Sequence, residues 1–150
     1  MRARDVMRWN PVMVTPDEAV SHAAEHMRYE HDASIPVVND QAARVLVGII
    51  TARDLATRCM ARCHKTGCTV GEHMTPMPLH TASPDDELEP LLHVMHGSEI
   101  RRLPVVSDGN VLIGIITESA VMEALALAEA NTRISASLMA GLVRTRMKPS

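Results

Sequence analysis

Ser34-Ile-Pro-Val-Val38, followed by Gly48-Ile-Ile-Thr-Ala-Arg-Asp54, returns later in the chain as Arg102-Leu-Pro-Val-Val106 followed by Gly114-Ile-Ile-Thr-Glu-Ser-Ala120. The match extends upstream, where Pro16, Val20, Ala23, Ala24 and Met27 recur 68 positions on as Pro84, Leu88, Leu91, Leu92 and Met95. The Gly-Ile-Ile-Thr stretch recurs after only 66 positions, so a two-residue difference falls in the turn Asn39 to Arg44 against Ser107 to Asn110. Turns tolerate such changes. Two copies of one unit enclose a pair of related clefts, and the positions where the copies differ say which cleft is equipped to act.

Within each copy the pattern predicts β-α-β-β-α. Thr15, Pro16, Asp17 and Glu18 read as a capping box with proline at the first helical position, and Ser83, Pro84, Asp85 and Asp86 repeat it. Apolar residues then follow at helical spacing. Short strands are expected at Ile35 to Val38 and Leu103 to Val106, longer apolar ones at Val45 to Ile50 and Val111 to Ile116, and leading strands at Val12 to Val14 and Leu79 to Thr81. A second helix begins at Thr51 or Thr117. Neither copy alone covers both faces of its sheet, which predicts an α+β fold of two repeats packed about a pseudo-twofold axis. The expected organisation is a single module over 1–150: repeat one 5–60, linker 61–69, repeat two 70–124, and a C-terminal helical extension 125–150.

The composition suits one compact domain: 150 residues, 46% hydrophobic and 22% charged, with no Phe, one Trp and one Tyr, so the core must be aliphatic with Met as filler. A net charge of −3 gives no nucleic-acid footprint. No apolar run is long enough for a membrane span or a signal peptide, and the expected location is cytoplasmic, without membrane partners. After Glu129 the tail carries only Arg133, Arg144, Arg146 and Lys148 as charges, read as a solvated helix face. Ile134, Leu138, Met139, Leu142 and Met147 give the final helix an apolar stripe beyond the repeat, read as a homodimer contact, with Gly141 marking a bend or stop.

Cys59, Cys63 and Cys68, with His64 and His73 nearby, raise a thiol or zinc reading, but no Cys-x-x-Cys pair completes it and no metal site is expected. His22 with His26, and His93 with His96, read as helix faces. No nucleophile elbow, glycine-rich phosphate loop or paired catalytic carboxylates appear, which points to a protein that is not an enzyme.

The two Pro-Val-Val strands and the two Gly-Ile-Ile-Thr segments resemble a tandem pair of cystathionine β-synthase (CBS) domains of the stand-alone bacterial type. That resemblance implies a regulatory module binding an adenosyl ligand such as AMP, ADP or ATP, with S-adenosylmethionine or a dinucleotide such as NAD as alternatives, and no further cofactor. It also implies that Thr51 takes phosphate and Asp54 the ribose, the site being completed by residues before the Pro-Val-Val strands. By matching positions the first cleft uses Thr51, Asp54, Ser34, Ile49, Ile100, Arg101 and Arg102, with Leu79 near the base. The second cleft uses Thr117 with Ser34 and the same arginines, but Ala120 stands at its ribose position.

The chemistry can be argued without the resemblance. Thr51 ends a strand and opens a helix, where free amides and the helix dipole attract an anion. Asp54, one turn on, can accept from both hydroxyls of a ribose. Arg101 and Arg102 bring positive charge, and Ile49 and Ile100 offer apolar faces to a base. The plainer alternative makes Thr51 and Asp54 a capping box, and Arg101 and Arg102 a surface pair meeting Glu99 or Asp108. Two other roles remain open: a dimerisation scaffold without ligand, or a thiol- or zinc-responsive sensor.

Overall fold

The computed structural model describes residues 1–62 and 67–146, with side chains through 142; Cys63, His64 and Met147 lie outside the described residues. In chain order the elements are α1 (Ala3–Val6), β1 (Arg8–Trp9), α2 (Val20–Glu30), β2 (Ser34–Val38), β3 (Leu46–Thr51) and α3 (Ala52–Asp54). A π-helical turn (Leu55–Cys59) and a 3-10 turn (Met60–Arg62) carry α3 onward. Then come α4 (Val70–His73), β4 (Thr75–Pro76), α5 (Leu88–Gly97), β5 (Arg102–Ser107), β6 (Val111–Thr117) and α6 (Glu118–Arg146).

The two hairpins form as the repeat predicts. β2 pairs antiparallel with β3 through Ile35↔Ile50 and Val37↔Gly48, and β5 pairs with β6 through Leu103↔Ile116 and Val105↔Gly114. Their turns differ in length as expected: the second closes over Asp108–Asn110, with Gly109 at φ 74° and Asn110 at φ 59°, a left-handed bend that Gly and Asn accept readily.

The third strand of each sheet comes from the other repeat's leading segment. β1 joins β6 (Arg8↔Ile115, Trp9↔Gly114), giving the order β1-β6-β5, and β4 joins β3 (Gly48↔Pro76, Ile49↔Thr75), giving β2-β3-β4. The short helices follow the same exchange. The Ala3 and Arg4 amides donate to the Asp86 and Pro84 carbonyls, and the Val70 and Gly71 amides donate to those of Glu18 and Pro16. Leading segment and repeat body are thus interlocked, so each half needs the other to complete its sheet.

This exchange corrects two expectations. The strands expected at Val12 to Val14 and Leu79 to Thr81 shrink to single parallel bridges, Val14↔Val37 and Ala82↔Val105. The reason is local: the next rung of each parallel ladder needs an amide at Pro16 or Pro84, which have none, and the Thr15 and Ser83 amides between turn instead to Glu18 Oε2 (2.6 Å) and Asp86 Oδ2 (2.8 Å). These box residues form a turn ahead of the helix, which starts at Val20 or Leu88. Capping passes to the exchanged segments, since the Val20 amide donates to the Cys68 carbonyl and the Leu88 amide to that of Met1.

Each repeat has an aliphatic core. One gathers Val14, Ala23, Met27, Ile35, Val37 and Ile50 with Val70 of the exchanged segment; the other gathers Leu88, Leu91, Met95, Leu103, Val105, Ile116 and Val121 with Ala3 and Met7. A third cluster, Val38, Leu46 and Leu112 with Met13, Met77, Leu79 and Val106, fills the joint between the repeats. α6 passes through Gly141 without stopping and leaves Leu127, Ile134, Leu138, Met139 and Leu142 more than half exposed. Among the described residues no helix is long and apolar enough to cross a membrane.

Candidate ligand-binding site

The joint between the repeats opens into a cleft of about 470 Å³. β2 contributes Ser34, β3 contributes Ile49 and ends at Thr51, and Arg53 follows in α3; β4 brings Thr75, with Leu79 and His80 beyond it. Ile100, Arg101 and Arg102 enter from the other repeat. Seven of the residues expected at the first cleft, Ser34, Ile49, Thr51, Leu79, Ile100, Arg101 and Arg102, therefore line one cavity. Arg53, Thr75 and His80 were missed; the last two lie in the exchanged segment, whose placement no local pattern reveals.

Polar groups in the cleft are arranged unevenly. Ser34 is 6% exposed, yet among the described residues its hydroxyl has no hydrogen-bond partner, an imbalance that a ligand hydroxyl or phosphate oxygen would correct. Arg102 places Nε 2.6 Å from Asp32 Oδ1, although that N–H is not aimed along the contact. This ion pair replaces the surface pairing expected with Glu99 or Asp108. Among the described residues Arg53 and Arg101 have no carboxylate within 4.0 Å, so their charge is available to an anion.

Asp54 departs from its expected place. It is buried and does not line the cavity; it stands behind Thr51, its Oδ2 accepting from the Thr51 amide (3.0 Å) while its own amide donates to Thr51 Oγ1 (3.1 Å). The capping box is real. Oδ1 faces Arg58 Nε at 3.6 Å, so one oxygen is committed to the turn and the other is only loosely held. Asp54→Ala is expected to lower stability by about 1 kcal/mol, the usual cost of losing a cap, measurable as a shifted urea midpoint with unchanged slope.

The second cleft is also built differently from expectation. Thr117 and Ala120 line a pocket of about 200 Å³ whose other walls are Val6, Arg8, Asp32 and Ile115, not Ser34, Arg101 and Arg102. The cause is a substitution within the repeat. Asp32 occupies the position matching Ile100, and its carboxylate sits between Arg102 and Arg8, whose Nη2 is 3.8 Å away. The pocket is narrowed and carries an acid where the first cleft presents an apolar face to a base.

Fold and cleft define a class: a non-identical tandem repeat whose joint forms one well-equipped and one reduced cavity. The chain belongs to the CBS-domain family, whose model matches residues 3–61 and 70–127. It is 34% identical over 113 residues to the CBS domain-containing protein YhcV of Bacillus subtilis, covering 75% of this chain and 77% of that protein. It is also 36% identical over 108 residues to inosine-5'-monophosphate dehydrogenase of Streptococcus pyogenes, covering 72% of this chain but only 21% of the enzyme. Among solved structures, CBSX2 of Arabidopsis thaliana in complex with AMP superposes with a TM-score of 0.72 at 28% identity, covering 85% of this chain and 98% of that one.

Proposed function

We propose that this protein is a non-catalytic regulatory module that binds one adenine nucleotide, AMP in the first instance, in the larger cleft. The observation that carries the reading is the meeting, in one cavity, of a buried Ser34 hydroxyl and of the Arg53 and Arg101 guanidinium groups, none of them partnered among the described residues, with the apolar Ile49, Ile100 and Leu79. That array suits a base at one end and a phosphate at the other, and the AMP bound by CBSX2 supports it. The base packs against the two isoleucines and Leu79. The phosphate takes Thr51 with the arginines. The ribose falls between them, within reach of the Ser34 hydroxyl, and Asp54 acts from behind by holding Thr51 in place through the capping box.

A thermal-shift series with AMP, ATP, S-adenosylmethionine and NAD tests the reading. A ligand at 100 times its Kd adds about 2.7 kcal/mol of stability, and AMP is expected to produce such a shift. No shift with any of the four would contradict it. Regulation further requires that the ligand prefer one of two arrangements, since equal affinity for both shifts neither.

The exposed apolar stripe of α6 favours a second, compatible role as a homodimer contact. Removing residues 131–150 is expected to turn a dimer into a monomer in sedimentation while the repeats stay folded.

A further inference from the structure

Behind the cleft, three side chains with no part in nucleotide binding converge. The ligand atoms of Cys59, Cys68 and His73 all lie within 4.8 Å of one another. They come from three pieces of chain. Cys59 ends the π-helical turn that continues α3, Cys68 lies just before α4, and His73 ends α4. Each piece is fastened independently of any cation. The Cys68 carbonyl accepts from the Val20 amide, α4 is held by the Glu18 and Pro16 carbonyls, and Arg58 donates through Nη1 to the His73 and Met74 carbonyls at 3.2 Å.

We propose that Cys59, Cys68 and His73 form a binding site for a thiophilic divalent cation, zinc above all. Two sulfurs and an imidazole are a soft donor set, which hard oxygen-seeking ions such as magnesium and calcium do not favour. Zinc takes sulfur at about 2.3 Å and nitrogen at about 2.0–2.1 Å in a tetrahedron, so ligand atoms in a filled site stand less than about 4 Å apart. The ligand atoms must therefore draw in by under about 1 Å from their present spacing of 4.8 Å at most. These three are the protein ligands among the described residues, and a fourth position remains. The Glu72 carboxylate, 3.9 Å from His73 Nε2, adds negative charge beside the cation.

Burial, and the neighbouring Cys59 thiol, push the Cys68 thiol up, so without a cation Cys68 rests as a thiol. Binding then releases thiol protons to solvent as two sulfur–metal bonds form. A bound ion would tie the helical segment after β3 to α4. β4, which helps line the nucleotide cleft, follows α4 directly, so the ion would stiffen the rear wall of that cleft.

Titration of the reduced, nucleotide-free full chain with cobalt(II), followed by displacement with zinc, tests the site. One cobalt per chain is expected, with thiolate-to-cobalt charge-transfer absorption in the near ultraviolet and the intense visible bands of tetrahedral cobalt. Cys59→Ser, at a half-buried position that should leave the fold intact, is expected to weaken binding by more than about a hundredfold, beyond the range for losing a ligand's hydrogen-bond partner. Cys68→Ser and His73→Gln should do the same, with circular dichroism reporting whether each remains folded. Absence of the charge-transfer band in the wild-type chain, or an undiminished band in folded Cys59→Ser, would overturn the proposal.

Discussion

Gly48→Val is expected to destabilise the protein by about 3 kcal/mol, and Gly114→Val by a similar amount, the upper end of the range for forcing extra carbons into a packed site. A Cβ on Gly48 would lie 2.7 Å from the Thr75 carbonyl oxygen and 2.9 Å from Met74 Sδ; on Gly114 it would meet Met7 Sδ at 2.8 Å and the Arg8 carbonyl oxygen at 3.0 Å. Both contacts are with the exchanged segments, because β4 lies against β3 at Gly48 and β1 against β6 at Gly114. At both glycines an exchanged segment lies close against its host sheet. A backbone carbonyl cannot rotate aside as a methionine can, so at Gly48 the exchanged strand must shift from its sheet, while at Gly114 Met7 can turn away and the Val γ-carbons press on the Arg8 carbonyl. Urea unfolding measures the loss; an unchanged midpoint in either variant would mean that the exchanged strands do not lie where the fold places them.

Gly48→Val carries a further consequence for the cleft. β4 and the residues after it supply Thr75, Leu79 and His80 to the cavity wall, so displacing β4 should weaken nucleotide binding even under conditions where the variant is folded. Gly114→Val displaces β1, which is remote from that wall. Its effect should be on stability alone.

Arg101→Ala is expected to weaken AMP binding by about 10- to 100-fold while leaving adenosine binding nearly unchanged, since a hydrogen bond to a charged group contributes about 1.5–3 kcal/mol. The split between nucleotide and nucleoside is the informative part. Arg101 has no carboxylate partner among the described residues, so its removal strands no buried charge, and the loss can be assigned to the missing phosphate contact. Arg102→Ala would be harder to read, because it deprives the buried Asp32 of its closest cation and lowers stability as well. Paired calorimetric titrations with AMP and adenosine measure the split. Equal losses for both ligands would move Arg101 away from the phosphate, and no loss for either would remove it from the site.

The hairpins, the unequal turns and the residues gathered around the first cleft were legible because their signals are local: Pro-Val-Val and Gly-Ile-Ile-Thr occur twice, in order, with matched helices between. The exchange of β1 and β4 was not. Arg8–Trp9 and Thr75–Pro76 are two-residue strands, too short to show a period, and their partners lie in the opposite repeat. The box residues before α2 and α5 misled for a related reason: their hydrogen bonds exist, but they close a turn, and the true helix starts are set by carbonyls from Cys68 and Met1.

Asp32 shows the same limit at the site. The sequence neighbours of Arg102 offer Glu99 and Asp108, whereas the carboxylate that meets it lies 70 residues earlier, at the repeat position occupied by Ile100 in the second copy. Comparing the copies at that position would have revealed both the ion pair and the narrowing of the second cleft. Cys59, Cys68 and His73 have no motif spacing, and only the docking of α4 brings them together.

Calorimetric titration of the wild-type chain and of Ile100→Trp with AMP tests the central claim most directly, because the indole would fill the space assigned to the base. The account predicts one AMP per wild-type chain and no measurable binding to folded Ile100→Trp. Two equal sites per chain, or undiminished AMP binding by the tryptophan variant, would contradict it.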